Sequence, residues 1–202
     1  MGMITEKKIL CRRDLIKRIQ CLDPETIQRE SSMICEKLTS LPLWTKNNTV
    51  LLFFSMEGKE LDTSCIIQKG WEEGKNLAFP RMYGDEIRFH YVKNTEISNL
   101  ETHTYGVLEP VHSLPVYIPS NSNRALIVVP GLGFDASGKR IGRGKGYYDR
   151  YLARYSEFLD VTGAALSCQL TDEIPVDERD RIIPVIVTPE MVYYSSSATM
   201  LS

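Results

Sequence analysis

Between residues 142 and 149 the chain reads GRGKGYYD: Gly142, Gly144 and Gly146 alternate with Arg143 and Lys145, then run into Tyr147, Tyr148 and Asp149. Glycine has no Cβ, so such a run lets successive backbone N–H groups converge on one point, as an anion cradle requires. Arg143 and Lys145 would neutralise the anion from the sides, and a helix starting at the tyrosines would add its positive end. Lys139, Arg140, Arg143, Lys145 and Arg150 face the single carboxylate of Asp149 over this stretch, and like charges so close repel unless an anion lies among them. The pattern is G-x-G-x-G rather than the dinucleotide G-x-G-x-x-G, and no Ser or Thr follows Lys145 as in a Walker loop. A bound phosphate group is favoured over a plain flexible loop. Asp149 could hold Mg2+ beside a polyphosphate while a tyrosine stacks on a flat ligand; the alternative has both aromatics packing a helix, with Asp149 exposed.

These residues need elements to position them. "RALIVVPGLGF" predicts a buried strand over Ala125 to Val129, stopped by Pro130-Gly131, and "YYDRYLARYSEFL" predicts a helix after the glycines. That places the loop at the carboxyl edge of a sheet, where α/β proteins bind ligands. Upstream, Ile9, Leu15, Ile16 and Ile19 predict the apolar stripe of a first helix. Asp23 and Pro24 open a second, with Ile27, Ile34, Leu38 and Leu41 as its buried face. "TVLLFF", "NLAFP", "EIRFHYV", "DVTGAAL" and "RIIPVIVT" read as further strands, and a helix is expected from about Asp62 to Glu73. Pro184 inside the last strand marks it as an edge or a bulge. The segment from Asn94 to Asn123 is irregular and is expected to cover one face of a site. Strands alternating with helices predict a single-domain, three-layer α/β/α sandwich over 1–202 with a mostly parallel sheet.

Composition narrows the partners. A net charge of −2 gives the molecule no overall pull on nucleic acid or an anionic membrane, so any anion site is local. The N-terminus has no apolar signal region, and no stretch is long and apolar enough to span a bilayer. Cys11, Cys21, Cys35, Cys65 and Cys168 show neither metal nor disulfide spacing; reduced thiols in the cytoplasm are expected, with Cys65 and Cys168 as small buried groups. His90, His103 and His112 accompany no nucleophile–acid pattern.

The long stretch "PGLGFDASGKRIGRGKGYYDRYL" closely resembles the signature of 5-formyltetrahydrofolate cyclo-ligases, also called 5,10-methenyltetrahydrofolate synthetases. "FFSMEGKELDT", "FPRMY", "YGVLEP" and "IPVDERD" fall where that family has corresponding segments, so the resemblance covers nearly the whole chain. It implies that Lys8 and Arg12 contact ATP, with Arg140, Ile141, Gly142, Arg143, Gly144, Lys145, Gly146, Tyr147 and Tyr148 forming the nucleotide loop. Arg143 to Tyr147 also touch the folate, and Arg143, Lys145 and Tyr147 act at the reacting groups. Phe54, or Met56 in its place because "MEGKE" is one residue longer than usual, matches one folate contact and Glu60 another. Asp149 and Asp180 match magnesium positions. Pro184 stands where an acidic residue is usual.

The implied reaction is ATP-dependent closure of 5-formyltetrahydrofolate to 5,10-methenyltetrahydrofolate by a monomer with ATP as co-substrate, Mg2+, and no nucleic-acid or membrane partner. Two other readings use the same residues: a sugar-phosphate isomerase holding a monophosphate, and a single-stranded RNA binder gripping through Lys139 to Lys145 and the tyrosines.

Overall fold

The computed structural model describes residues 2–56, 58, 60–102 and 106–196. His103 lies outside the described residues.

Helix α1 (Gly2–Gln20) is amphipathic, but its buried face is not the expected apolar stripe. Leu15 and Ile19 are buried, whereas Ile9 and Ile16 are 56% and 37% exposed. The buried face continues toward the N-terminus through Lys8, with Arg12 between, because residues at i, i+4, i+7 and i+11 share one side of a helix. Helix α2 (Pro24–Ser40) starts as predicted, with Asp23 Oδ1 accepting from the Thr26 N–H at 2.7 Å. Ile27, Ile34 and Leu38 are buried, while Leu41 falls just past the helix end and is only partly covered. A short α3 (Pro42–Lys46) buries Trp44 and leads into β1 (Thr49–Leu51).

Helix α4 (Ser64–Glu72) precedes a hairpin of β2 (Asn76–Tyr83) and β3 (Glu86–Tyr91). The segment expected to be irregular holds a 3-10 turn and a second hairpin, β4 (Leu100–Thr102) with β5 (Leu108–Pro110). Then come β6 (Ala125–Val129), the two-residue strands β7 (Gly133–Phe134) and β8 (Arg140–Ile141), α5 (Tyr147–Tyr155), β9 (Leu159–Ala164), β10 (Val185–Val187) and β11 (Val192–Tyr194).

The central sheet has the order β11-β10-β9-β6-β1-β2-β3. Its inner pairs are parallel, and β3 and β11 close the two edges antiparallel. Side chains of β6 alternate between two cores. Leu126 and Val128 face a cluster with Ile34, Leu38 and Ile66 of α2 and α4; Ala125, Ile127 and Val129 face one with Tyr151 and Leu152 of α5. Helices on both faces of a mostly parallel sheet make the three-layer α/β architecture the sequence predicts. Burying each large side chain contributes about 1.5–3 kcal/mol, which is why every β6 residue is apolar.

Two further expectations change. Pro184 does not lie inside a strand: β10 begins at Val185 and is an interior strand, since β11 takes the edge position beside it. The ring is tolerated because it precedes the ladder, and its carbonyl still accepts from Ser195 N–H at 2.9 Å. Cys35, buried on α2, is joined by a disulfide to Cys65, which is exposed on α4 rather than buried, with Cα atoms 6.1 Å apart. Their pairing follows from packing α2 on α4, which a separation of 30 residues does not reveal. No described helix is long and apolar enough to cross a membrane.

Candidate active site

Chain order and sheet order diverge between β1 and β6: β1 leads to β2 on one side, whereas β6 leads to β9 and β10 on the other. Such a switch point opens a crevice beyond the carboxyl ends of the strands. A cavity of about 1080 Å3 lies there, lined by Phe53 and Phe54 leaving β1 and by Pro130, Gly131 and Leu132 leaving β6. All the site residues implied by the family resemblance line this cavity, although they come from four separate stretches of chain. They are Lys8, Arg12, Phe54, Met56, Glu60, Arg140, Ile141, Gly142, Arg143, Gly144, Lys145, Gly146, Tyr147, Tyr148, Asp149 and Asp180.

The glycine stretch begins as a hairpin rather than a loop. Its turn is organised by Asp135, a buried carboxylate the sequence reading passed over, which accepts from Ser137 N–H at 2.9 Å, Lys139 N–H at 3.1 Å and Ile174 N–H at 3.0 Å. After β8 the backbone must reverse into α5. Gly144 at φ 99° and Gly146 at φ 68° adopt left-handed conformations that a side chain would strain. Gly146 caps α5, so the first free N–H groups of that helix open at the cavity wall. From α1, Arg12 Nε donates to the Gly142 carbonyl at 2.9 Å.

The cations of this stretch are less bare than their sequence implies. Arg140, almost fully buried, donates to Asp149 at 2.8 Å and to the Pro130 carbonyl at 3.0 Å. Arg143 Nη2 lies 3.4 Å from Glu60 Oε2. Arg150 packs over the Tyr147 ring and donates to the Asp85 carbonyl. Part of the charge repulsion is therefore met by the protein's own acceptors. Lys145 is exposed and has no carboxylate in salt-bridge range among the described residues, leaving its ammonium for a ligand.

The carboxylates gather at the end facing α1. Lys8 Nζ donates to Asp177 at 2.8 Å and also to Asp180, and Asp180 accepts from the Asp177 N–H at 2.6 Å. Burial alone would lower the Lys8 pKa, but its bonds to Asp177 and Asp180 outweigh that and raise it, so the ammonium is firmly charged. Arg179 and then Lys8 hold Asp177 well below the usual carboxylate range. Asp149 reaches the same corner: its second oxygen accepts from the Arg181 N–H at 3.3 Å, beside Asp180. Asp177 was missed in the sequence, though it sits in the same "IPVDERD" segment. Among the described residues no three metal-capable groups cluster. Magnesium does not need a full cage of protein ligands, since one or two carboxylates plus phosphate oxygens and water suffice, and Asp149 and Asp180 both line this corner of the cavity.

The opposite wall is apolar with carboxylates set into it. Phe54 stacks on Phe79, centroids 4.0 Å apart and planes within 8°, and both Phe54 and Met56 face the cavity. Glu60 accepts from the Met56 N–H at 3.0 Å, which folds the 56–60 segment back over the site. Tyr148 is buried enough that its phenol is pushed far above its ordinary value, with the Glu60 charge adding to the effect, so it is neutral near pH 7. Tyr147 donates to the Gly84 carbonyl at 3.0 Å, pinning the start of α5 to the β2–β3 turn. His90 stands apart from the site: it is fully buried in β3, with Nδ1 2.8 Å from the Leu114 carbonyl and Nε2 3.0 Å from the Tyr83 hydroxyl.

A family model described as the 5-formyltetrahydrofolate cyclo-ligase family matches residues 4–189. A probable 5-formyltetrahydrofolate cyclo-ligase of Schizosaccharomyces pombe is 32% identical, covering 92% of this chain and 97% of that protein. The 5-formyltetrahydrofolate cyclo-ligase of Escherichia coli K12 is 30% identical, over 88% of this chain and 97% of its own length. The solution structure of Aquifex aeolicus 5,10-methenyltetrahydrofolate synthetase superposes with a TM-score of 0.78 at 31% identity, covering 94% and 93% of the two chains. With its signature loop, its switch-point cavity and relatives matched along nearly their full lengths, the chain belongs to the 5-formyltetrahydrofolate cyclo-ligase family of ligases.

Proposed function

We propose that this protein uses ATP to close 5-formyltetrahydrofolate into 5,10-methenyltetrahydrofolate, releasing ADP and phosphate, and that it acts as a monomeric single-domain enzyme in the cytoplasm. The observation that carries the reading is the Arg143–Glu60 contact at 3.4 Å, where the cationic loop meets the folate-side segment inside one cavity. An enzyme that joins a phosphoryl donor to a second substrate needs the two half-sites adjacent.

A formamide carbonyl is a poor electrophile and its oxygen a poor leaving group. Transfer of the γ-phosphoryl group to that oxygen leaves ADP and gives an iminium phosphate. The folate's own N10 then attacks the activated carbon and loses its proton, and the C–O bond breaks with departure of phosphate. The nucleophile belongs to the substrate, so the protein's part is orientation and charge stabilisation. Lys145 and Arg143 would sit against the transferring group, with the N–H groups from Gly144 to Tyr147 around the phosphates. Lys8 and Arg12 would flank the nucleotide, Arg12 by holding the loop through Gly142. Glu60 would accept from folate N–H groups and hold Arg143 in place, and Phe54 and Met56 would flank the ring system. Asp149 and Asp180 would hold Mg2+, whose charge offsets that of the phosphates.

An absorbance assay for methenyltetrahydrofolate, run with and without ATP, tests this directly. Product formed only with ATP is expected; absence of product with both substrates present rejects the reading.

A further inference from the structure

Glu109 has no part in the chemistry above, yet it is a carboxylate set into the cavity wall at only 4% exposure. Its hydrogen bond is a long one, Oε1 accepting from the Met82 N–H at 3.3 Å. Arg81, on the neighbouring strand β2, spends its guanidinium on Glu101 at 2.8 Å and on the Pro110 carbonyl at 2.6 Å. No cation lies in salt-bridge range of Glu109 among the described residues; the Arg81 charge acts on it only through space. A carboxylate offers about four acceptor positions, and a buried one left this sparsely satisfied is costly unless a ligand supplies donors.

Position indicates which donors. Glu109 lies on the β2 side of the cavity, past β1 in sheet order from the phosphate-facing loop that follows β6. Pro80 and Met82 of β2 and Val107 next to β5 line the cavity together with it, apolar neighbours for a flat ring. Glu60 already accepts from the Met56 N–H and from Arg143, which leaves it fewer acceptor positions for the folate's several N–H donors. We propose that Glu109 is a specificity-determining residue that receives the pterin end of the reduced folate, accepting from the 2-amino group and the adjacent ring N–H. Those two neighbouring donors present the same fork that lets a guanidinium bind a carboxylate through parallel bonds. The assignment rests on the folate reading of the site.

Steady-state kinetics with 5-formyltetrahydrofolate, and with an analogue bearing methyl in place of the 2-amino group, test it. Glu109→Leu is expected to raise the folate KM by about tenfold or more while the ATP KM stays within about twofold, because a site built around a hydrogen bond loses affinity steeply without it. It should also erase the wild-type preference for the amino compound over the methyl one, with Glu109→Gln intermediate. If the leucine variant does not fold, the glutamine variant decides, since it keeps the shape and loses one acceptor: a wild-type preference in that protein overturns the role. A folate KM within twofold of wild type, or equal losses for folate and ATP, likewise overturns it. Wild-type protein that makes no product rejects the folate reading itself, whereas active protein indifferent to the 2-amino group rejects only Glu109.

Discussion

Arg12 on the first helix donates through Nε to the Gly142 carbonyl at 2.9 Å, so a side chain near the start of the chain fixes the backbone of a loop 130 residues later. Its guanidinium also lies 3.4 Å from where a Cβ on Gly144 would stand, so the loop packs directly against it. Replacing Arg12 with Met should release the loop and raise the ATP KM about tenfold, the cost of one charge-assisted hydrogen bond, with the folate KM little changed. Parallel KM measurements for the two substrates check this; equal ATP affinity in the variant would show that Arg12 does not hold the cradle.

Lys145 is exposed and has no carboxylate in salt-bridge range among the described residues, so its removal should leave stability alone. Lys145→Ala is expected to lower kcat/KM for ATP by at least about tenfold, which is about 1.4 kcal/mol, at an unchanged Tm. Unaltered kinetics would take Lys145 out of the site.

Asp149 pairs with Arg140 and, in the proposed function, would also hold Mg2+, and one substitution separates the two. Its bond to Arg140 at 2.8 Å pairs a guanidinium whose side chain is 5% exposed, so Asp149→Asn leaves a buried cation without its counter-charge. A loss of about 1–3 kcal/mol in stability is expected whatever the ligand, read by denaturant titration. The magnesium role predicts in addition that activity in the variant needs a higher Mg2+ concentration for half-saturation. A wild-type metal response alongside the lowered stability would leave Asp149 as a structural partner of Arg140 alone.

His90 gives the fold a pH dependence. Burial lowers its pKa below the ordinary histidine value and outweighs the opposing bond to the Leu114 carbonyl. The unfolded chain therefore binds the proton more readily than the folded one, and stability falls as pH drops through the unfolded value of about 6.5. Thermal melts between pH 7.5 and 5 should show a declining Tm, and His90→Gln should flatten the decline across that window. A variant with the same slope would assign the acid sensitivity to other groups.

Several features were legible because they depend on residues close in sequence. The Asp23 cap with Pro24 behind it, the all-apolar run of β6, and the positive-φ glycines ahead of α5 are decided within a turn or two of chain. The first helix was legible only in part, since Ile9 and Ile16 fit an apolar spacing but face solvent. That helix covers the charged corner of the cavity as well as a core, so its inner face carries Lys8 and Arg12 where a purely structural helix would carry leucines.

The sequence by itself determined the α/β alternation, the glycine- and cation-rich loop and the family signature, since each is written in local pattern and composition. Tertiary structure alone decided that Cys35 meets Cys65, that β11 rather than β10 forms the sheet edge, and that Arg140 and Arg143 are partly neutralised by Asp149 and Glu60. It also brought Glu109 to the cavity wall. The division has one physical cause: dihedral preference and hydrophobic period act over a few residues, whereas charge pairing and burial depend on which distant segments the sheet order makes neighbours.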